Sequence, residues 1–304
     1  MSYIDRFRKS FVAAKKNPAL LSVLILKFIL SALLFMLFAV VDTLIIIMLN
    51  KSALQFVPVE MLGVNSFLNA KTVFVASILF LVELFIFTYV NSFFNAGFYA
   101  MIKNMMCDGS TLFKEFFPEA KKYWAAFFRL LLVKYALFLI VALPLIVGLI
   151  SYLATVPSAI STTQAWWLIG SIFFFGLATI TLFFVFLYAG AVLVYEREDA
   201  LPAMKASLQL IKNKFWYSVC IGLTIAGLFF VAFILSALLL IPFEKLAQLF
   251  PDKGVVILHD IASFVLNIVT LIATVITSIF LFMSYDELTM KRVKKSYGKA
   301  KKKH

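Results

Sequence analysis

A carboxylate and two amides lie inside a long apolar run of the sequence, where polar groups need a specific reason to be. Glu83 is followed at eight and twelve residues by Asn91 and Asn95, so all three lie on one side of a helix. Glu83 is 11 residues into its run, about 16 Å at 1.5 Å per residue, which is near the middle of a bilayer. An ionisable group at that depth is costly and faces protein or water. The three residues indicate either a polar path with an ion-coupling site or a buried carboxylate neutralised by a base.

Three bases lie inside apolar runs, and two of them are candidates for neutralising Glu83. Lys134 is the expected partner, because it lies a similar distance into its own run from the opposite side, and Lys27 is the second choice. Lys27 and Arg129 are near enough to a run end for their charged groups to reach the membrane surface. Asp42 is expected to reach lipid headgroups at the other boundary.

The last apolar run carries a polar stripe. Its members are three or four residues apart: Asp260, Ser263, Asn267, Thr270, Thr274 and Thr277. Such a stripe lets helices approach and hydrogen-bond in lipid, and the threonine hydroxyls can also bond to their own backbone. The pattern favours helix packing, although a hydrated crevice beside Glu83 predicts the same residues. The candidate crevice residues are Glu83, Asn91, Asn95, Lys134, Asn267, Thr270 and Thr274.

Signals for catalysis and metal binding are weak. The residues Glu244, Asp252, His259 and Asp260 offer metal-compatible ligands, but their spacing is not diagnostic. No Gly-rich phosphate loop and no Gly-x-Ser-x-Gly, His-Glu-x-x-His or Cys-x-x-Cys motif occurs. The connections between the apolar runs are too short for a separate enzyme domain. We therefore expect no enzymatic activity, no metal and no cofactor.

Six apolar runs must position these side chains. They cover residues 19–49, 73–100, 127–153, 165–195, 216–241 and 255–285, and about 20 apolar residues suffice to cross a bilayer as a helix. Hydrophobic residues make up 63% of the 304 and charged residues only 14%, which is typical of a surface covered by lipid. The sequence predicts an all-α, polytopic membrane protein with six transmembrane helices. Residues 1–285 form a single membrane domain, whose first run stays as an anchor, and residues 286–304 a basic tail.

Basic residues on alternate connections predict the orientation. Of the 28 Lys and Arg residues, 21 lie before the first run, in the second and fourth connections and in the tail, whereas four lie in the other connections. The positive-inside rule then makes this a multi-pass protein of the cell membrane with both termini in the cytoplasm. That topology explains the net charge of +13, so no nucleic-acid partner is expected.

A short basic segment with apolar residues at helical spacing precedes each odd-numbered run. The three segments align without a gap at offsets of 106 and 91 residues. This pattern is typical of helices among lipid headgroups, which the flanking lysines would contact. The contact residues are Lys15, Lys16, Lys121, Lys122, Lys212 and Lys214. We predict cytoplasmic surface helices over residues 4–16, 113–122 and 201–214, and a threefold repeat with units 1–100, 101–195 and 196–285. Alternatively, each segment only flanks its span.

One of these segments resembles a known kind of membrane domain. In residues 196–216, Ser207 and Leu208 are followed by lysines and by Phe215 and Trp216 at the entry to a span. The segment resembles the cytoplasmic elbow of poorly characterised prokaryotic six-helix membrane families. One of them is the membrane domain attached to some glycerophosphoryl diester phosphodiesterases. The resemblance covers about one-fifteenth of the chain and extends to the arrangement of the repeats. It does not imply phosphodiesterase activity, because the catalytic domain is not included.

Two kinds of function stay open. The chain is either a transporter or lipid-handling protein with a polar crevice between its helices, or a membrane scaffold or assembly subunit that uses the same groups for packing. The cost of a carboxylate near the midplane, aligned with two amides, favours the first. The expected partners are the lipid bilayer, with anionic lipid on the cytoplasmic side, and a protein partner or a second copy of the chain.

Overall fold

The described residues of the protein are almost all helical. The computed structural model describes residues 3–49, 70–155, 162–247 and 253–300, and nothing in these ranges forms a strand. The described helices are α1 (Tyr3–Lys16), α2 (Pro18–Leu49), α3 (Ala70–Asp108), α4 (Phe116–Thr155), α5 (Thr162–Phe186), α6 (Ala189–Glu196), α7 (Ala200–Asn213), α8 (Phe215–Ala247) and α9 (Lys253–Ala300). A 3₁₀ turn, Phe113–Glu115, precedes α4. The predicted all-α class is confirmed.

Six of the described segments are long and apolar enough to cross a membrane, as predicted. They are Pro18–Ile45, Ser77–Asp108, Phe113–Leu149, Ala165–Glu196, Phe215–Leu235 and Leu266–Thr289. Only 11% of the most apolar part of the first segment is buried against protein. Lipid is the solvent that can cover the rest, because a helix satisfies its own backbone hydrogen bonds.

The hydrophobic core lies at one end of the bundle. We call the end that carries α1 and α7 the basic end, and the opposite end the far end. The largest fully buried side chains, among them Phe116, Phe127, Tyr188 and Phe280, all lie towards the basic end. Between residues 25 and 45, by contrast, α2 has no buried side chain. The described parts of the spans therefore pack together mainly at the basic end.

A buried asparagine forms the corner between α1 and α2. Asn17 ends α1 by donating from Nδ2 to the Ala13 carbonyl at 2.9 Å, and its Oδ1 accepts from the backbone amide of Thr111 at 3.1 Å. Pro18 then begins α2, at a position where a backbone amide hydrogen would have no hydrogen-bond partner within the helix. One side chain thus fixes both the turn into the first span and its contact with the connection between α3 and α4.

The fourth span is broken, which its apolar run did not indicate. The chain leaves α5 after Phe186 and resumes as α6 at Ala189. Ser207 of α7 satisfies the break: its hydroxyl donates to the Val185 carbonyl at 2.9 Å and accepts from the Tyr188 amide at 3.2 Å. Backbone groups without a helical partner are costly at membrane depth, so α7 is tied to the fourth span by this serine.

The second predicted surface helix does not form a separate helix. After the 3₁₀ turn, α4 runs without interruption from Phe116 into the third span, whereas α1 and α7 are separate helices. The last span also continues beyond its apolar run, since α9 extends to Ala300 and includes most of the predicted tail.

Two aligned positions of the three basic segments are buried to similar extents. One aligned set is fully buried: Ser10, Phe116 and Ser207. The next position is about half exposed in every case: Phe11, Phe117 and Leu208. This agreement is consistent with the threefold repeat, which stays a prediction, as does the placement of these segments among lipid headgroups.

Candidate functional site

Glu83 lies near another acidic side chain and forms no ion pair with a base among the described residues. The neighbouring acid is Asp42 of α2. The predicted pairing with Lys134 is therefore not formed, because depth along a helix does not specify which neighbour a side chain faces. Asp42, which we expected among headgroups, has its Oδ1 atom buried.

Two lysines lie close together nearer the basic end. The Lys27 ammonium of α2 donates to Oδ1 of Asn95 on α3 at 3.0 Å. Lys134 of α4 is close enough to affect the charge of Lys27. No ion pair among the described residues includes either lysine. Two basic side chains thus lie inside the bundle without a carboxylate partner among those residues.

Lys134 borders a cavity between five of the spans. The cavity has a volume of about 250 Å³, and its wall combines the lysine with hydroxyl groups and aromatic rings. Thr274, Thr277 and Ser278 of α9 supply the hydroxyls. The aromatic lining is Tyr99, Phe183, Phe186 and Phe229. A cation beside an apolar wall can bind a ligand with an anionic head and an apolar body.

The threonine stripe of α9 is used mainly within its own helix. The Thr270, Thr274 and Thr277 hydroxyls donate to the backbone carbonyls of Leu266, Thr270 and Ala273. Their hydrogen atoms are therefore occupied, and the Lys134 ammonium is the charged donor at the cavity. The side chains of Asp260 and Ser263 lie outside those that the structure describes.

The structure brings only part of the predicted crevice together. Lys134 and Thr274 line the cavity, whereas Asn95 bonds to Lys27, which does not line it. The other candidates do not line it: Glu83, Asn91, Asn267 and Thr270. No three potential metal ligands cluster among the residues that the structure describes. Four side chains that we considered for a metal site lie outside its described side chains: Glu244, Asp252, His259 and Asp260.

The six lysines predicted to contact headgroups are all exposed at the basic end. They are Lys15, Lys16, Lys121, Lys122, Lys212 and Lys214. One of them has a nearby acid, since Lys122 is 3.9 Å from the Glu119 carboxylate one helical turn earlier. An exposed pair at that distance contributes little to stability, so these ammonium groups can contact phosphate.

A buried arginine that the sequence analysis missed holds α1 in place. Arg6 is 4% exposed, forms an ion pair with Glu287 of α9 and donates to the Tyr217 hydroxyl of α8. Tyr3, one turn earlier, donates to the Cys220 carbonyl at 2.8 Å, and burial raises the pKa of its phenol, which keeps it a donor. The signal was present in the sequence, because Arg6 lies on the same side of α1 as the apolar residues. A charge in that position needs a buried partner.

Searches against models of protein families, curated proteins and solved structures find no match to this chain.

Proposed function

We propose that this integral membrane protein binds an anionic amphiphile between its helices, as a transporter or lipid-handling protein. The observation that carries the proposal is Lys134, which lines a cavity between the spans, has Lys27 nearby and forms no ion pair among the described residues. A lysine at the centre of a membrane helix costs about 3 kcal/mol on insertion scales, and two neighbouring ones repel. A bound carboxylate or phosphate would offset both costs.

The shape and lining of the cavity support this class of ligand. Its volume of about 250 Å³ is just below the roughly 300–1,000 Å³ of typical small-molecule sites, so it fits a head group and part of a chain. The rings of Phe183, Phe186 and Phe229 offer an apolar surface beside the Lys134 ammonium. In this proposal the basic end faces the cytoplasm of a cell membrane, as the positive-inside rule predicts.

The second candidate is a scaffold in which the same polar groups only pack helices. It is favoured by the threonine stripe, whose hydroxyls bond to their own backbone. The two candidates differ in one respect that can be measured. A scaffold would gain stability when the lysines are neutralised, whereas a binding protein would lose its ligand.

Binding of palmitate and of hexadecanol, which has the same chain without the charge, tests the proposal. We expect native mass spectrometry of the purified protein to show palmitate bound more tightly than hexadecanol. Lys134→Gln removes a charge-assisted hydrogen bond worth about 2 kcal/mol, so palmitate affinity should fall about thirtyfold. Hexadecanol binding should not change. Lys205→Gln removes an exposed lysine from α7 and serves as the matched control.

Access to the cavity gives an independent measurement. With Cys107 and Cys220 replaced by serine, Thr274→Cys should react with a charged methanethiosulfonate, and palmitate should slow that reaction. Equal palmitate binding by the wild type and by the Lys27→Gln/Lys134→Gln variant, together with higher stability of the variant, would refute the proposal and support the scaffold.

A further inference from the structure

A basic depression lies beside α1 at the basic end. Its volume is about 590 Å³, and Arg8, Lys9 and Lys16 of α1 line it together with one acidic residue, Asp5. Part of its floor is apolar and comes from the end of α3, at Met105 and its neighbour. Three cations and one carboxylate leave the depression positively charged, so it is complementary to an anion.

An apolar cavity adjoins the same helix on its neighbouring side. It has a volume of about 470 Å³ and lies between α1, α2 and α9, where Phe11, Leu21 and Ile276 contribute to its wall. Val12, which is 46% exposed, lines both this cavity and the basic depression. The two spaces therefore meet at Val12. Ile276 belongs to the sixth span and Arg8 lies outside the spans, so the apolar space reaches into the membrane and the basic one does not.

The wall that α1 provides is held in position. Arg6 ties α1 to Glu287 and Tyr217, and the ring of Phe7 packs edge-on against Phe280 of α9 at 5.9 Å between centroids. These contacts use the side of α1 that faces the bundle, which leaves Arg8 and Lys16 exposed. Both spaces are therefore formed before a ligand binds.

We propose that the two spaces form one binding site for an anionic phospholipid of the membrane leaflet at the basic end. The phosphate contacts Arg8 and Lys16, and one acyl chain extends past Val12 along Phe11 and Ile276. Charge complementarity selects the anionic head, and the apolar space selects a lipid over a free phosphate ester. This site is separate from the cavity at Lys134, so its existence does not depend on the function proposed above.

Lipid retention by charge variants tests the site. The purified protein is exchanged into mixed micelles of phosphatidylglycerol and phosphatidylcholine with identical chains, and retained lipids are counted by native mass spectrometry. The wild type should prefer phosphatidylglycerol. Each base near the membrane surface contributes about fivefold, so Arg8→Gln/Lys16→Gln should lower the preference about 25-fold. Lys114→Gln/Lys205→Gln removes two exposed lysines that line neither space and should keep it.

A variant without a charge change separates the site from general surface attraction. Val12→Trp fills the place where the two spaces meet, so it should abolish retention of phosphatidylglycerol although every base is present. Val12→Trp also tests the site independently if Arg8→Gln/Lys16→Gln fails to fold. Soluble glycerol 3-phosphate should not displace the lipid. The proposal is overturned if the two double variants lower the preference equally, if Val12→Trp retains the lipid, or if glycerol 3-phosphate binds as well as the lipid does.

Discussion

The ion pair between Arg6 and Glu287 predicts how α1 detaches from the bundle. Glu287→Gln keeps the shape of the side chain but leaves the Arg6 charge buried without a counter-ion. Removing one partner of a buried pair costs about 3–5 kcal/mol. Because the Arg6 side chain is 5% exposed and that of Glu287 20%, we expect the lower end, about 3 kcal/mol. Amides of α1 should then exchange with deuterium about 100-fold faster, since the helix opens without unfolding the bundle.

Hydrogen-exchange mass spectrometry of residues 3–16 in neutral detergent measures this opening. Arg8→Gln is the matched control, because Arg8 is exposed on the same helix and should leave exchange unchanged. Arg6→Met combined with Glu287→Met should recover protection, since an apolar pair can replace a buried ion pair without loss. If α1 exchanges as slowly in Glu287→Gln as in the wild type, the ion pair does not hold the helix and the argument fails.

Two further substitutions test contacts that position the spans. Ser207→Ala leaves two backbone groups at the break of the fourth span unsatisfied and should lower the free energy of unfolding by about 2 kcal/mol. Thr181→Ala is the control, because the Thr181 hydroxyl bonds within its own helix at 3.0 Å, and it should change that free energy by under about 0.5 kcal/mol. Gly97→Ala places a Cβ against the ring of Phe116 and should cost about 1–3 kcal/mol, whereas Gly176→Ala meets no atom within 4 Å and should be neutral or stabilising. Thermal unfolding in detergent measures both pairs, and equal shifts within either pair would contradict the corresponding contact.

The six spans could be predicted because lipid imposes a simple requirement on composition. Each run had to be apolar and longer than about 20 residues, and five of the six occur in one described helix, while the fourth is divided between α5 and α6. Pro18 even marked the first residue of α2. Helix ends were harder, because hydrogen bonds continue after the apolar run stops: α3 extends to Asp108 and α4 begins at Phe116. Polar residues at the membrane surface do not end a helix.

The break in the fourth span could not be predicted from its own residues. Its stability depends on Ser207, which follows Tyr188 by nineteen residues and belongs to another helix. A local pattern cannot reveal such a partner, since a serine on an amphipathic helix is ordinary. Arg6 differs from this case, because a charge among apolar residues of α1 was visible and implied a buried acid, although not its identity as Glu287.

The error at Glu83 changes the kind of ligand that the bundle is proposed to bind. Had Glu83 neutralised Lys134, the interior would contain an ion pair and a site for coupling cations would be the natural hypothesis. Glu83 instead lies near Asp42, about 18 Å along α3 from Asn95, and Lys27 contacts that asparagine. Acidic and basic groups are thus separated along the helices rather than paired across them. An anionic ligand at Lys134 would supply the missing partner, which is why palmitate, and not a cation, is the probe that discriminates.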